Sequence, residues 1–212
     1  MSKYFAFAGL PGSFVLTMLM SLLALILALI EGTPARWLCF IAMVLSSVGD
    51  IFLMDFRDLS KKFPQYFHIG ALFFIFAHLF YSGAFGLLIR QNSFPLTNAA
   101  FWFAVVFSAA VLIVFLFRST NTAMLALLFV YLTVITVHCS LVFSYTQSAF
   151  PHSPLVILGA IGAFSFYLSD LIIGLGIFMG ITRFDFLIWW LYPLGQILLL
   201  SAPKGVYSQS IH

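Results

Sequence analysis

The sequence predicts an all-α, polytopic membrane helix bundle. Hydrophobic residues make up 63% of its 212 positions and charged residues 7%, where a soluble domain carries roughly a quarter charged residues. The apolar residues also fall into stretches near the ~20 residues that cross a bilayer as a helix. Short polar breaks rich in Gly and Pro separate them. Such a composition excludes a water-soluble enzyme. The formal net charge of +3 is small, so it reads as membrane topology and argues against nucleic-acid binding.

Seven spans are expected. The first, 13–31, ends at Glu31-Gly32-Thr33-Pro34 and is long for a cleavable leader. The second, 35–54, runs into a charged loop from Asp55 to Pro64. The third, 66–89, and fourth, 97–117, are parted by Arg90 to Pro95, and Arg118 to Asn121 follows the fourth. The fifth, 122–146, and sixth, 154–177, are parted by a segment that includes Pro151 to Pro154. Gly180 to Arg183 precedes the seventh, 184–201. No linker or repeat interrupts the pattern, so the chain reads as one domain, 1–212.

Lys and Arg in short loops set orientation. Lys3, Arg57, Lys61, Lys62, Arg118 and Arg183 fall on one side, and Arg36, Arg90 and Lys204 on the other. The bias puts the amino terminus in the cytoplasm and implies a multi-pass protein, of the inner membrane if the source is bacterial. Cys39 and Cys139 lie on separate spans without zinc-ligand spacing and read as small apolar fillers.

Three ionisable groups sit inside apolar runs: Asp50 in CFIAMVLSSVGDIFLM, His78 in ALFFIFAHLFYSGAFGLLI and Asp170 in GAIGAFSFYLSDLIIGLGIF. A charge in hydrocarbon is costly unless paired, hydrogen-bonded or hydrated, so such residues usually mark a pathway or a reaction site. At ~1.5 Å of rise per residue, Asp50 lies roughly 6 Å from the cytoplasmic end of its span and Asp170 roughly 10–12 Å. Ser46 and Asp50 are four residues apart, as are Tyr192 and Gln196, while His78 and Tyr81 are three apart; each pair shares a helix face. These groups are expected to line one cavity open toward the cytoplasm. His138 has no evident partner and reads as structural. Pro193, after Tyr192, is expected to kink the last span and free a carbonyl near Trp189. Gly159 and Ala163, four apart, suit close helix packing.

Four strings carry a resemblance. Ser46 to Met54 has the form S-x-x-G-D-x-x-L, and Phe76 to Tyr81 contains A-H-x-x-Y. Ser169-Asp170 forms an S-D element, and Tyr192 to Gln196 a Y-x-x-x-Q element in the last helix. Together and in this order they resemble the lysoplasmalogenase family, the YhhN-like integral membrane hydrolases. That family is drawn with eight spans, one more than is read here. The resemblance implies hydrolysis of the vinyl ether bond of a lysoplasmalogen, giving a fatty aldehyde and a glycerophosphocholine or glycerophosphoethanolamine. It points to Asp50, Asp170 and His78 as catalytic, and to Ser46, Tyr81, Ser169, Tyr192 and Gln196 as substrate-binding, with a lysophospholipid and the bilayer as partners. No cofactor or metal is implied.

Vinyl ether hydrolysis passes through an oxocarbenium ion, as glycoside hydrolysis does, and two carboxyls can divide the work of acid and base. The deeper Asp170 is the expected acid and Asp50 the base or electrostatic partner, with the reverse assignment open. A metal-dependent lipid hydrolase, with His78, Asp50 and Asp170 around zinc, is one alternative, although a single histidine is few for zinc. A proton-coupled transporter or lipid-binding protein is another.

Overall fold

A computed structural model describes residues 6–7, 10–56, 58–116, 122–150 and 153–202. Lys3, Arg57, Arg118 and Lys204, four of the residues used to set orientation, lie outside them. A two-residue antiparallel pair, β1 (Ala6–Phe7) with β2 (Leu10–Pro11), leads into helix. The helices are α1 (Gly12–Glu31), α2 (Pro34–Leu53), α3 (Leu59–Lys62), α4 (Tyr66–Gln91), α5 (Thr97–Leu116), α6 (Thr122–Ala149), α7 (Ile157–Met179) and α8 (Asp185–Ser201). The all-α class is therefore correct, and the seven long helices coincide with the seven apolar stretches to within a few residues. The sixth stretch opens with a separate 3-10 turn, Pro154–Val156, where proline's missing N–H suits an element start. The four-residue α3 and the short strands were not expected. They are too short to leave a periodic signal.

Among the described residues, four helices, α2, α4, α6 and α7, are long and apolar enough to cross a membrane. Val15–Glu31, Thr97–Ala109 and Asp185–Ser201 are shorter apolar helical stretches. Large side chains such as Leu29, Phe76, Phe101 and Trp190 are exposed, a surface that suits lipid better than water.

The chain divides into two compact units, Met1–Tyr81 and Ser82–His212, with the boundary inside α4. In the first unit α1 and α2 form a tight hairpin. Gly32 takes the left-handed conformation (φ 64°) that ends α1. The Thr33 hydroxyl then accepts from the Arg36 N–H, and Pro34 opens α2. The Arg36 side chain is buried and forks onto Glu31, Nε to Oε2 at 2.7 Å and Nη2 to Oε1 at 2.8 Å, a bidentate staple across the turn. α2 meets the first part of α4 at two glycines. A Cβ on Gly49 would lie 2.7 Å from the Phe74 ring and 3.2 Å from the Gly70 carbonyl.

Past α2, Asp55 (φ 51°) accepts from the Ser60 backbone N–H at 2.6 Å and the Ser60 hydroxyl at 2.8 Å. The backbone bond first, and the hydroxyl second, hold this exposed carboxyl below its ordinary pKa. A depressed folded-state pKa contributes stability above the unfolded value, and the contribution is lost as pH falls through the folded one. Asp55→Asn keeps the shape, tolerates the left-handed backbone and removes the charge, and its one carbonyl oxygen can still accept from the Ser60 N–H while the Ser60 hydroxyl turns to accept from its amide. Its thermal stability is expected to decline less on acidification than that of the parent. Parallel pH curves for the two proteins would refute this.

In the second unit α5 packs on α6, α6 on α7 and α7 on α8. Asn98 donates to the Ser148 hydroxyl at 3.2 Å, and Trp102 Nε1 to Gln147 Oε1 at 2.9 Å, tying α5 to α6. α7 ends at Gly180 (φ 67°), whose N–H returns to the Gly176 carbonyl at 3.2 Å, an αL stop.

The α7–α8 contact is backbone to backbone. A Cβ on Gly162 would lie 2.7 Å from the Leu199 nitrogen and 2.8 Å from the Gly195 oxygen. Gly159 meets the Ala202 methyl in the same way, as its small size led one to expect. Neither helix can yield locally to an added methyl at Gly162. Gly162→Ala should therefore destabilise the folded protein by about 1–3 kcal/mol, in the range of overpacked cores. Unfolding in detergent checks this, and an unshifted transition would contradict it.

Candidate functional site

In the first unit three hydroxyls lead back from Asp50. Thr17 and Ser21 are one turn apart on α1, and Met43, Ser47 and Asp50 occupy the facing stripe of α2. Small hydroxyl residues let the two helices approach closely. The Thr17 hydroxyl lies 2.6 Å from Asp50 Oδ2 and 3.0 Å from Ser47 Oγ. Ser47 Oγ lies 2.6 Å from Ser21 Oγ, 3.0 Å from the Met43 carbonyl and 3.1 Å from the Thr17 carbonyl. Thr17, Ser47 and Asp50 are all buried. Ser46 is buried in the adjacent position of α2, and His78 is fully buried on α4. The Tyr81 hydroxyl donates to the Met43 sulfur at 3.7 Å, a weak bond to a soft acceptor.

The second unit centres on α7. Asp170 Oδ2 accepts from the Tyr131 hydroxyl of α6 at 2.8 Å. Ser169, beside it, turns its hydroxyl to the Phe166 carbonyl of its own helix at 2.8 Å. The Phe166 ring meets the Tyr192 ring of α8 edge-on, 5.3 Å between centroids. Gln196 follows one turn beyond Tyr192 and is fully buried. α8 continues through Pro193. Elsewhere on α6, His138 is buried, with its ring centroid 6.4 Å from that of Phe85, and Cys139 lies 3.8 Å from the Ala163 carbonyl. Both cysteines are free and buried, as fillers should be.

Sequence reasoning missed Thr17, Ser21, Ser47 and Tyr131. A hydroxyl inside an apolar run is the signal they carry, and it is shared with many residues that only bond their own backbone. Two of the predicted residues, Asp50 and Asp170, are each met by a hydroxyl donor from a neighbouring helix. That arrangement supplies part of what a carboxyl needs in a membrane interior. Among the described residues, no three His, Cys, Asp or Glu side chains come together as a metal site would require.

Fold and side chains define an α-helical membrane protein with hydroxyl-bonded carboxyls on apolar helices. Residues 12–202 match the YhhN family, which includes the lysoplasmalogenases, and the chain belongs to that family. All four motif strings fall inside the matched region. No curated protein and no solved structure matches the chain.

Proposed function

We propose that the protein is an intramembrane hydrolase that cleaves the vinyl ether bond of lysoplasmalogens by carboxyl acid–base chemistry. Family membership supports the reading, and the observation that carries it is the hydroxyl-held carboxyl on α2 and again on α7. Asp170 donates a proton to the outer carbon of the vinyl ether, which leaves an oxocarbenium ion. Asp50 stabilises that cation and takes a proton from the water that adds to it. As the resulting hemiacetal collapses to a fatty aldehyde and the free glycerol hydroxyl, Asp50 gives its proton to the departing glycerol oxygen and Asp170 regains one from the hemiacetal hydroxyl, so both carboxyls are restored and one water is consumed. His78 is a further catalytic candidate. Ser46, Tyr81, Ser169, Tyr192 and Gln196 are proposed to contact the substrate, whose single chain enters from the bilayer.

The test is mass spectrometry of purified protein incubated with mixed choline and ethanolamine lysolipids, both vinyl ether and ester. Aldehyde is expected from the vinyl ether species alone, and prolonged chelation is expected to leave its rate unchanged. Fatty acid release without aldehyde would overturn the reading. Loss of turnover on chelation, restored by zinc, would replace it with a metal-dependent hydrolase.

A further inference from the structure

We infer that Thr17, backed by Ser47 and Ser21, is a positioning residue that serves Asp50 in both of its protonation states, its hydroxyl turning between Asp50 and Ser47. This rests on the proposed role of Asp50 as one of the two reacting carboxyls.

A hydroxyl carries one hydrogen and accepts two bonds. Heavy-atom distances along the chain suit two complete assignments. With Asp50 ionised, Thr17 donates to Oδ2 across 2.6 Å, Ser47 donates to the Met43 carbonyl at 3.0 Å or the Thr17 carbonyl at 3.1 Å, and Ser21 donates to Ser47 across 2.6 Å. With Asp50 protonated, its O–H donates to Thr17, and Thr17 donates to Ser47. Ser47 then donates to the Met43 carbonyl at 3.0 Å or the Thr17 carbonyl at 3.1 Å, and Ser21 to the Met43 carbonyl at 3.3 Å.

The change needs only rotation of hydroxyls. The proton that Asp50 takes comes from water and rests on Asp50 until the hemiacetal collapses, and no proton leaves a hydroxyl oxygen of the chain. Every hydroxyl of the chain keeps a partner for its hydrogen in both states. Stranding a buried donor or acceptor would carry the full cost of its desolvation. A fixed N–H donor in place of Thr17 would favour the carboxylate alone and oppose uptake of the proton. The Met43 and Thr17 carbonyls take the Ser47 hydrogen in both states, which leaves Ser47 Oγ able to accept from Thr17.

A merely structural Thr17, joining α1 to α2, would affect stability and leave the chemistry alone. The experiment therefore compares Thr17→Val, which keeps the shape without the hydroxyl, with Thr17→Ser, which restores the hydroxyl. Aldehyde release gives kcat and KM. The infrared carboxyl stretch of Asp50, identified by its disappearance in Asp50→Asn, reports the hydrogen bond directly. Thr17→Val is expected to lower kcat about tenfold or more with KM little changed and to move the band. Thr17→Ser is expected to restore both. Ser47→Ala, which cuts the chain one link further out, is expected to shift the band and lower kcat by less. It decides the matter if Thr17→Val fails to fold. A folded Thr17→Val protein with parental kcat or an unmoved band overturns the inference, as does a Ser47→Ala protein unchanged in both. Full turnover in Asp50→Asn would instead remove Asp50 from the proposed reaction. Impaired Asp50→Asn beside unimpaired Thr17→Val defeats this inference alone.

Discussion

Asp170→Asn is expected to lower kcat for aldehyde release by about 10²–10⁴-fold, the usual contribution of a general acid. Asn has nearly the shape of Asp and can still accept from the Tyr131 hydroxyl, 2.8 Å away in the parent. What it lacks is an acidic proton. Carbon protonation is the demanding step in opening a vinyl ether, so the loss should fall on the chemical step, with KM little changed. Thermal stability of the variant serves as the folding control. A well-folded Asp170→Asn protein at near-parental turnover would take Asp170 out of the mechanism.

Asp50→Asn is expected to lose at least about tenfold, from the same range of acid–base contributions. Its amide can still accept from Thr17, but it neither balances a developing cation nor takes a proton from water. The smaller loss reflects the nature of the second step. An oxocarbenium ion is a strong electrophile, and water adds to it with less assistance than its formation requires. The double variant is expected to lose little more than Asp170→Asn, because groups that serve one reaction are far from additive. Measurement of kcat for both singles and the double checks this. A folded double variant at full rate would end the carboxyl account.

The long helices were legible because each apolar run is closed by residues with a single local meaning. Gly32, Thr33 and Pro34 spell the end of one helix, the cap and the start of the next, and Gly180 ends another. Asp50 and Asp170 were legible as well, since a carboxyl in an apolar run has few bland explanations. Their hydroxyl partners were not. Thr17 and Tyr131 sit 33 and 39 residues away from the carboxyls they meet, and only packing of α1 on α2 and of α6 on α7 brings them there. Sequence spacing pointed to Ser46, on Asp50's own helix, and passed over Ser47. Helical spacing predicts neighbours on one helix and says nothing about the facing one. The 59–62 helix was illegible for a different reason. It is one turn long and is flanked by the Asp55–Ser60 bonds, which are a matter of loop geometry and not of hydrophobic pattern.

The most direct measurement of the central claim is the isotopic composition of the aldehyde formed in heavy water. Protonation of the vinyl ether at carbon must leave one solvent hydrogen on the carbon next to the carbonyl. With the aldehyde trapped as it forms and analysed by mass spectrometry, the account predicts one deuterium at that position in the parent, and strongly reduced formation of the labelled product by Asp170→Asn. Absence of aldehyde, or an aldehyde without deuterium at that carbon, would contradict it.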